Sequence, residues 1–168
     1  MWTSRWVERR AANPGARFTW PAQVNRRLLP TLMAMTSEHC AYCDGWPLDV
    51  TGEPTIDHFR PKSEHPDHAY RWANLFPACE RCQRAKGSRW EIQLLKPDEP
   101  DYTFDRYFRY VYATGRIEPN PQASPEDQQR AARTVALFDL NGGGRPQARR
   151  RSTRDYPDYD QRPFRFTG

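Results

Sequence analysis

Apolar residues fall in short runs divided by turn-formers, and only a few stretches hold a period. After Pro21, a residue suited to open a helix, Val24, Leu28, Leu29, Leu32 and Met35 recur at helical spacing. Pro30 interrupts that stripe, so the pattern predicts a kink or two short helices. Residues 1–20 carry Trp2, Trp6, Phe18 and Trp20 without clean periodicity and read as a basic, aromatic arm that packs late. Thr55 to Phe59 predicts a short strand stopped by Pro61, and Trp72 to Phe76 is a second short apolar run. Cys79 to Lys86 suits a short helix with Gly87 as its stop. Phe104 to Tyr112, followed by Thr114-Gly115, predicts a strand or hairpin. Ser124-Pro125-Glu126-Asp127 is a helix start, with a capping hydroxyl and acids at the positive end of the dipole. That helix is expected to run to Leu140 and stop at Asn141-Gly142. The Arg-rich tail from Arg145 is expected to be partly disordered.

Composition narrows the picture. With 37% hydrophobic and 28% charged residues in 168, the core is modest and extra stapling is expected. No apolar stretch is long enough to cross a bilayer, and the N-terminus lacks the apolar segment of a secretory signal. The expected location is cytoplasmic, with no membrane partner. The net charge of +5 conceals basic flanks around an acidic middle. Residues 1–35 carry six Arg against one acid, and residues 129–168 nine Arg against four. Lys62, Lys86 and Lys96 are the three lysines, and the remaining cations are Arg, which suits bidentate phosphate contact. Arg149, Arg150 and Arg151 form the densest cluster.

Cys40, Cys43, Cys79 and Cys82 make two C-x-x-C pairs. In a reducing compartment such pairs bind metal more often than they form disulfides, and four thiolates close a tetrahedral Zn2+ site with no open position. Such a site is structural. The chemistry is expected between the knuckles, where Asp57-His58 and Asn74 lie, with Gln83 directly after the last cysteine. Phosphodiester hydrolysis needs a base active near neutral pH, for which imidazole is suited, and a hard cation held by oxygen. His58 supplies the base, Asp57 a carboxylate, Gln83 an amide oxygen, and Asn74 a hydrogen bond across the loop. Gln83 and Lys86 share a helix face, so Lys86 is placed to reach a phosphate, as are Arg60 and Lys62 after the base. Adjacent strand residues point to opposite faces, so Asp57 and His58 share a site only at the strand's end, where Pro61 puts them.

The series C-A-Y-C, I-D-H-F-R-P-K, W-A-N-L and C-E-R-C-Q-R-A-K-G resembles the HNH (His-Me finger) endonucleases. It is similar in particular to HNH proteins that accompany an ATPase in Septu-type and retron anti-phage systems, a likeness that extends over roughly residues 17–152. The resemblance implies an α+β fold: a ββα-metal core clipped by a four-cysteine zinc site, with flanking helices and a short β hairpin. The expected parts are an N-terminal arm and helix at 1–36, the nuclease core at 37–90, an extension of hairpin and helix at 91–144, and a basic tail at 145–168. It further implies His58 as general base with Asn74 in support, Asp57 as ligand to a catalytic Mg2+ or Mn2+, and the cysteines as zinc ligands. Nucleic acid, DNA ahead of RNA, is the expected substrate, and an ATPase a partner. Family members carry Asn or His where this chain has Gln83; the longer side chain keeps the oxygen but shifts it, and Glu80 is the substitute ligand. The competing reading is a non-catalytic zinc-stabilised module that binds nucleic acid or docks to an ATPase.

Overall fold

The computed structural model describes residues 2–50 and 53–155. The chain divides into two compact units, the first Met1–Ala41 with Gly45–Trp90, the second Tyr42–Asp44 with Glu91–Gly168. No helix among the described residues is long and apolar enough to cross a membrane.

In the first unit, helices α1 (Trp2–Ala12) and α2 (Ala22–Met35) precede strand β1 (Pro54–His58), strand β2 (Leu75–Cys79) and helix α3 (Glu80–Lys86). β1 and β2 pair antiparallel, from Pro54 opposite Cys79 to His58 opposite Leu75. This two-strand, one-helix series is the expected ββα order. The second strand lies later than the apolar run at Trp72 suggests. Trp72–Asn74 curls into a short 3-10 turn, because the Asn74 side chain bonds back to the Arg60 backbone, and pairing starts at Leu75. Cys79 ends β2 and caps α3, its sulfur accepting from the Cys82 amide at 3.4 Å. Gly87 stops α3 with φ +58, a conformation that favours glycine.

Two expectations for the N-terminal region become more definite. α2 is one helix running through Pro30, so of the two expected outcomes the division into two short helices does not occur. Its Leu32, with Leu28, Leu29 and Trp20, packs on Ile56 and Leu75, and that burial outweighs one lost backbone bond. Residues 2–12 form a helix, which the lack of clean periodicity did not announce. α1 is anchored by Trp6, 5% exposed, which meets Phe18 edge-on at 5.1 Å.

The second unit holds α4 (Phe104–Tyr107), β3 (Phe108–Val111), β4 (Arg116–Pro119), α5 (Pro125–Leu137) and α6 (Arg145–Asp155). Thr103 caps a helical turn at Phe104, so the aromatic stretch begins as helix and only then becomes the β3–β4 hairpin. Leu95, Tyr107, Phe108, Ile117 and Ala131 form its core. Ser124 caps α5 as expected, accepting from Asp127 N at 3.1 Å. α5 ends at Leu137, earlier than expected, because Asp139 adopts φ +51 and turns the chain. Asn141 then bonds Ile117 twice, accepting from its N–H at 2.9 Å and donating to its carbonyl at 2.7 Å.

The first part of the tail forms α6 through Asp155, and the remainder, on which the expectation of partial disorder also falls, lies outside the described residues. Arg149 donates to the carbonyls of Leu140 at 2.6 Å and Gly115 at 3.4 Å. Gly115 permits the approach, since a Cβ there would stand 2.0 Å from the Pro146 oxygen.

Candidate functional site

Asp57 and His58 end β1, opposite Phe76 and Leu75, and their side chains find different partners. The Lys86 ammonium of α3 lies 3.1 Å from Asp57 Oδ2 and donates to the His58 carbonyl at 2.6 Å. Both side chains are sealed, Lys86 at 1% exposure and Asp57 at 5%. The outward reach to a phosphate expected of Lys86 is therefore absent. Its stem lies on the face of α3 that packs on β1, and its charge straps helix to strand.

His58 is buried, and its Nε2 lies 2.9 Å from the Ala69 carbonyl. A carbonyl oxygen only accepts, so Nε2 carries the proton and the neutral ring keeps its lone pair on Nδ1. Burial, then the Lys62 charge and to a lesser degree Lys86, push the imidazole from its usual 6.5 down to about 3, against the opposing pull of the Ala69 bond. The ring is neutral throughout the physiological range. Trp20 stacks on it at 5.4 Å and 13°, and Phe18 meets it edge-on at 5.3 Å.

Asn74, 3% exposed, fastens the loop around the base. Its oxygen accepts from Arg60 N at 2.7 Å, and its amide nitrogen donates to the carbonyls of Arg60 and His68, each at 3.1 Å. His68 precedes Ala69, the residue that holds His58. Lys62 lies with its ammonium 5.2 Å from the Phe18 ring, and burial lowers its pKa. The Arg60 guanidinium covers Trp90 at 4.8 Å. Half-buried Gln83 donates its amide nitrogen to the Ile56 carbonyl at 3.3 Å, which leaves its oxygen as the ligand end. Glu80 is exposed and ion-paired with Arg84.

The four cysteines form no disulfide, and their sulfurs lie within 4.8 Å of one another. Sulfurs at about 2.3 Å from a tetrahedral Zn2+ stand ~3.8 Å apart, so the set fits that ion. Cys40, Cys79 and Cys82 are buried and Cys43 partly so. Among the described residues no other three His, Cys, Asp or Glu side chains converge in this way. Asp57 and Gln83 both border the junction of β1 with α3, where Lys86 already engages the Asp57 carboxylate, so a hard cation there would have to share that carboxylate with the ammonium.

His65 and His68 stay in the loop, against Trp90 and Asp67 respectively, and His39 stacks on Trp46. In the second unit Arg150 and Arg151 are exposed, whereas Arg149 is 6% exposed and engaged with backbone carbonyls. Arg149 thus departs from its expected role as a surface phosphate contact. Sequence reasoning missed Phe18 and Trp20 beside the base; the signal was the aromatic density of residues 1–20, left unassigned for want of periodicity.

Comparison with known proteins bears on this site. Residues 40–89 match the family model described as HNH endonuclease. The Septu protein PtuB of Bacillus thuringiensis is 33% identical to this chain over 57 residues, a stretch that is 34% of this chain and 22% of that relative.

Proposed function

On the premise that residues 40–89 form an HNH endonuclease domain, we propose that the protein hydrolyses phosphodiester bonds of nucleic acid, DNA ahead of RNA, in a Septu-like anti-phage defence. The observation that carries this reading is the 2.9 Å contact of His58 Nε2 with the Ala69 carbonyl, which puts a ring proton on Nε2 and leaves Nδ1 to act as the base. In this reading Nδ1 takes a proton from water, the oxygen so formed attacks phosphorus, and the leaving sugar oxygen is protonated from solvent. Asp57, shared with Lys86, and Gln83 would hold a Mg2+ or Mn2+, which when bound would supply charge neutralisation at the phosphate. Asn74 keeps the loop, and with it the Ala69 carbonyl, in place behind the base. Zn2+ on the four cysteines fixes β2 and α3. Lys62 and Arg60 supply positive charge beside the base, and Arg150 and Arg151 add phosphate contacts on α6. The cytoplasm is the proposed location, and an ATPase the proposed partner.

The test is cleavage of plasmid DNA and of total RNA by the full chain, alone and with its ATPase partner, with Mg2+ or Mn2+ and with EDTA. His58→Ala removes only the imidazole, so cleavage should fall by about a hundredfold or more while fold and zinc content persist. If His58→Ala cuts as well as the wild type, or neither substrate is cut under any of these conditions, the protein is a zinc-stabilised binding or docking module instead.

A further inference from the structure

We infer that Trp20 is a positioning residue for the general base, a role that rests on the nuclease reading of His58. An imidazole held by one hydrogen bond can still tilt, because the Nε2 contact to Ala69 fixes a direction and not a plane. Tilting bends Nε2–H off the Ala69 carbonyl and frees the ring to exchange tautomers. The plane comes from the aromatic segment that follows α1. Trp20 lies almost parallel to the imidazole, 13° off, with centroids 5.4 Å apart. Phe18 stands perpendicular to both, 5.3 Å from His58 and 4.9 Å from Trp20. Tyr70 closes the cluster, edge-on to Trp20 at 5.5 Å and 5.2 Å from Phe18. It follows Ala69, so the residue that holds Nε2 and the indole that holds the ring plane are locked to each other. Trp20 is itself half-buried and packs against Leu32, Ile56 and Leu75, which backs the wall behind the imidazole. A stack of this geometry favours one ring orientation over its alternatives, and a poorly aimed base loses rate without losing substrate affinity.

Trp20→Phe keeps an aromatic face, whereas Trp20→Leu keeps apolar bulk without one. Both are compared with wild type for zinc content, for steady-state cleavage, and by NMR of protein labelled at histidine with 13C and 15N. The expected outcome for Trp20→Leu is a tenfold or larger fall in kcat with little change in KM, largely rescued in Trp20→Phe. Its His58 ring signals should broaden or divide between tautomers, while wild type and Trp20→Phe show one Nε2–H form. The NMR reading needs no cleavage, so it separates failure of this inference from failure of the nuclease reading. A single sharp Nε2–H tautomer in folded, zinc-loaded Trp20→Leu overturns the inference even if the wild type is an active nuclease. So does wild-type kcat in that variant. Higher activity in Trp20→Leu overturns it too, and makes the aromatic segment a cover over the base. If Trp20→Leu does not fold, Trp20→Phe and Phe18→Leu decide by the same two readouts, and sharp unaltered His58 signals with unaltered kcat in both overturn it.

Discussion

The Lys86 ammonium stands 3.1 Å from the Asp57 carboxylate with both side chains closed off from solvent, so the charge at the end of β1 is balanced from α3. Removing one partner of a buried pair leaves the other uncompensated, at about 3–5 kcal/mol. Lys86→Met should lower the unfolding free energy in urea by that order. Adding Asp57→Asn should recover a large part of it, because the stranded carboxylate is then gone. Equal stability of Lys86→Met and wild type would show that the pair contributes nothing net.

Zinc should be inseparable from the fold of the first unit. Cys82 is fully buried at the start of α3, and zinc binding in small domains supplies on the order of 10 kcal/mol. Cys82→Ser should reduce zinc, measured by atomic absorption, from about one ion per chain to none, with loss of the near-ultraviolet circular dichroism of the tryptophans. A chain purified without zinc that keeps its fold in chelator contradicts this.

Arg150 and Arg151 are exposed on α6, whereas Arg149 is spent on backbone carbonyls. Substituting both exposed arginines with Gln should weaken binding to all nucleic-acid sequences alike. The slope of log K against log salt should flatten by up to about two units, near 0.9 for each lost phosphate contact on duplex. Arg149→Gln should instead lower the melting temperature. An unaltered salt slope in the double variant would remove α6 from the nucleic-acid interface.

Acid should destabilise the fold through His58. Above pH 6.5 the imidazole is neutral in both folded and unfolded chains and contributes no pH dependence. Below it the unfolded chain takes up a proton that the folded site refuses until about pH 3, so stability falls as pH drops through that window. One proton corresponds to about 1.4 kcal/mol per pH unit. Between pH 6 and pH 4.5 the unfolding free energy of His58→Gln should decline less steeply than that of wild type by up to this amount. Parallel slopes would mean that the folded imidazole is not held neutral.

How much could be read in advance depended on whether a residue's partner was near in sequence. Thr55 to His58 showed as a strand because alternation, Pro61 and the flanking knuckles are all local. Gly87 and Ser124 announced a helix end and a helix start by their own chemistry. α1 was hidden because one tryptophan, and no stripe, ties it down. Lys86 looked like a surface cation, since its partner Asp57 is 29 residues away. α6 looked like a solvated tail because its ordering depends on carbonyls at Leu140 and Gly115 and on a glycine where the helix comes closest. At the candidate site the residue types were legible, but the plane of the imidazole was not, because Trp20 reaches it from 38 positions away.

The two hydrogen bonds between Asn141 and Ile117 have a consequence for the molecule among its own copies. A two-stranded hairpin leaves unpaired backbone at its margins, and such margins recruit strands from other chains. On β4 the Ile117 N–H and carbonyl are already taken by an amide that imitates the hydrogen bonding of a neighbouring strand. A single side chain thus blunts this margin against pairing with a strand of another copy.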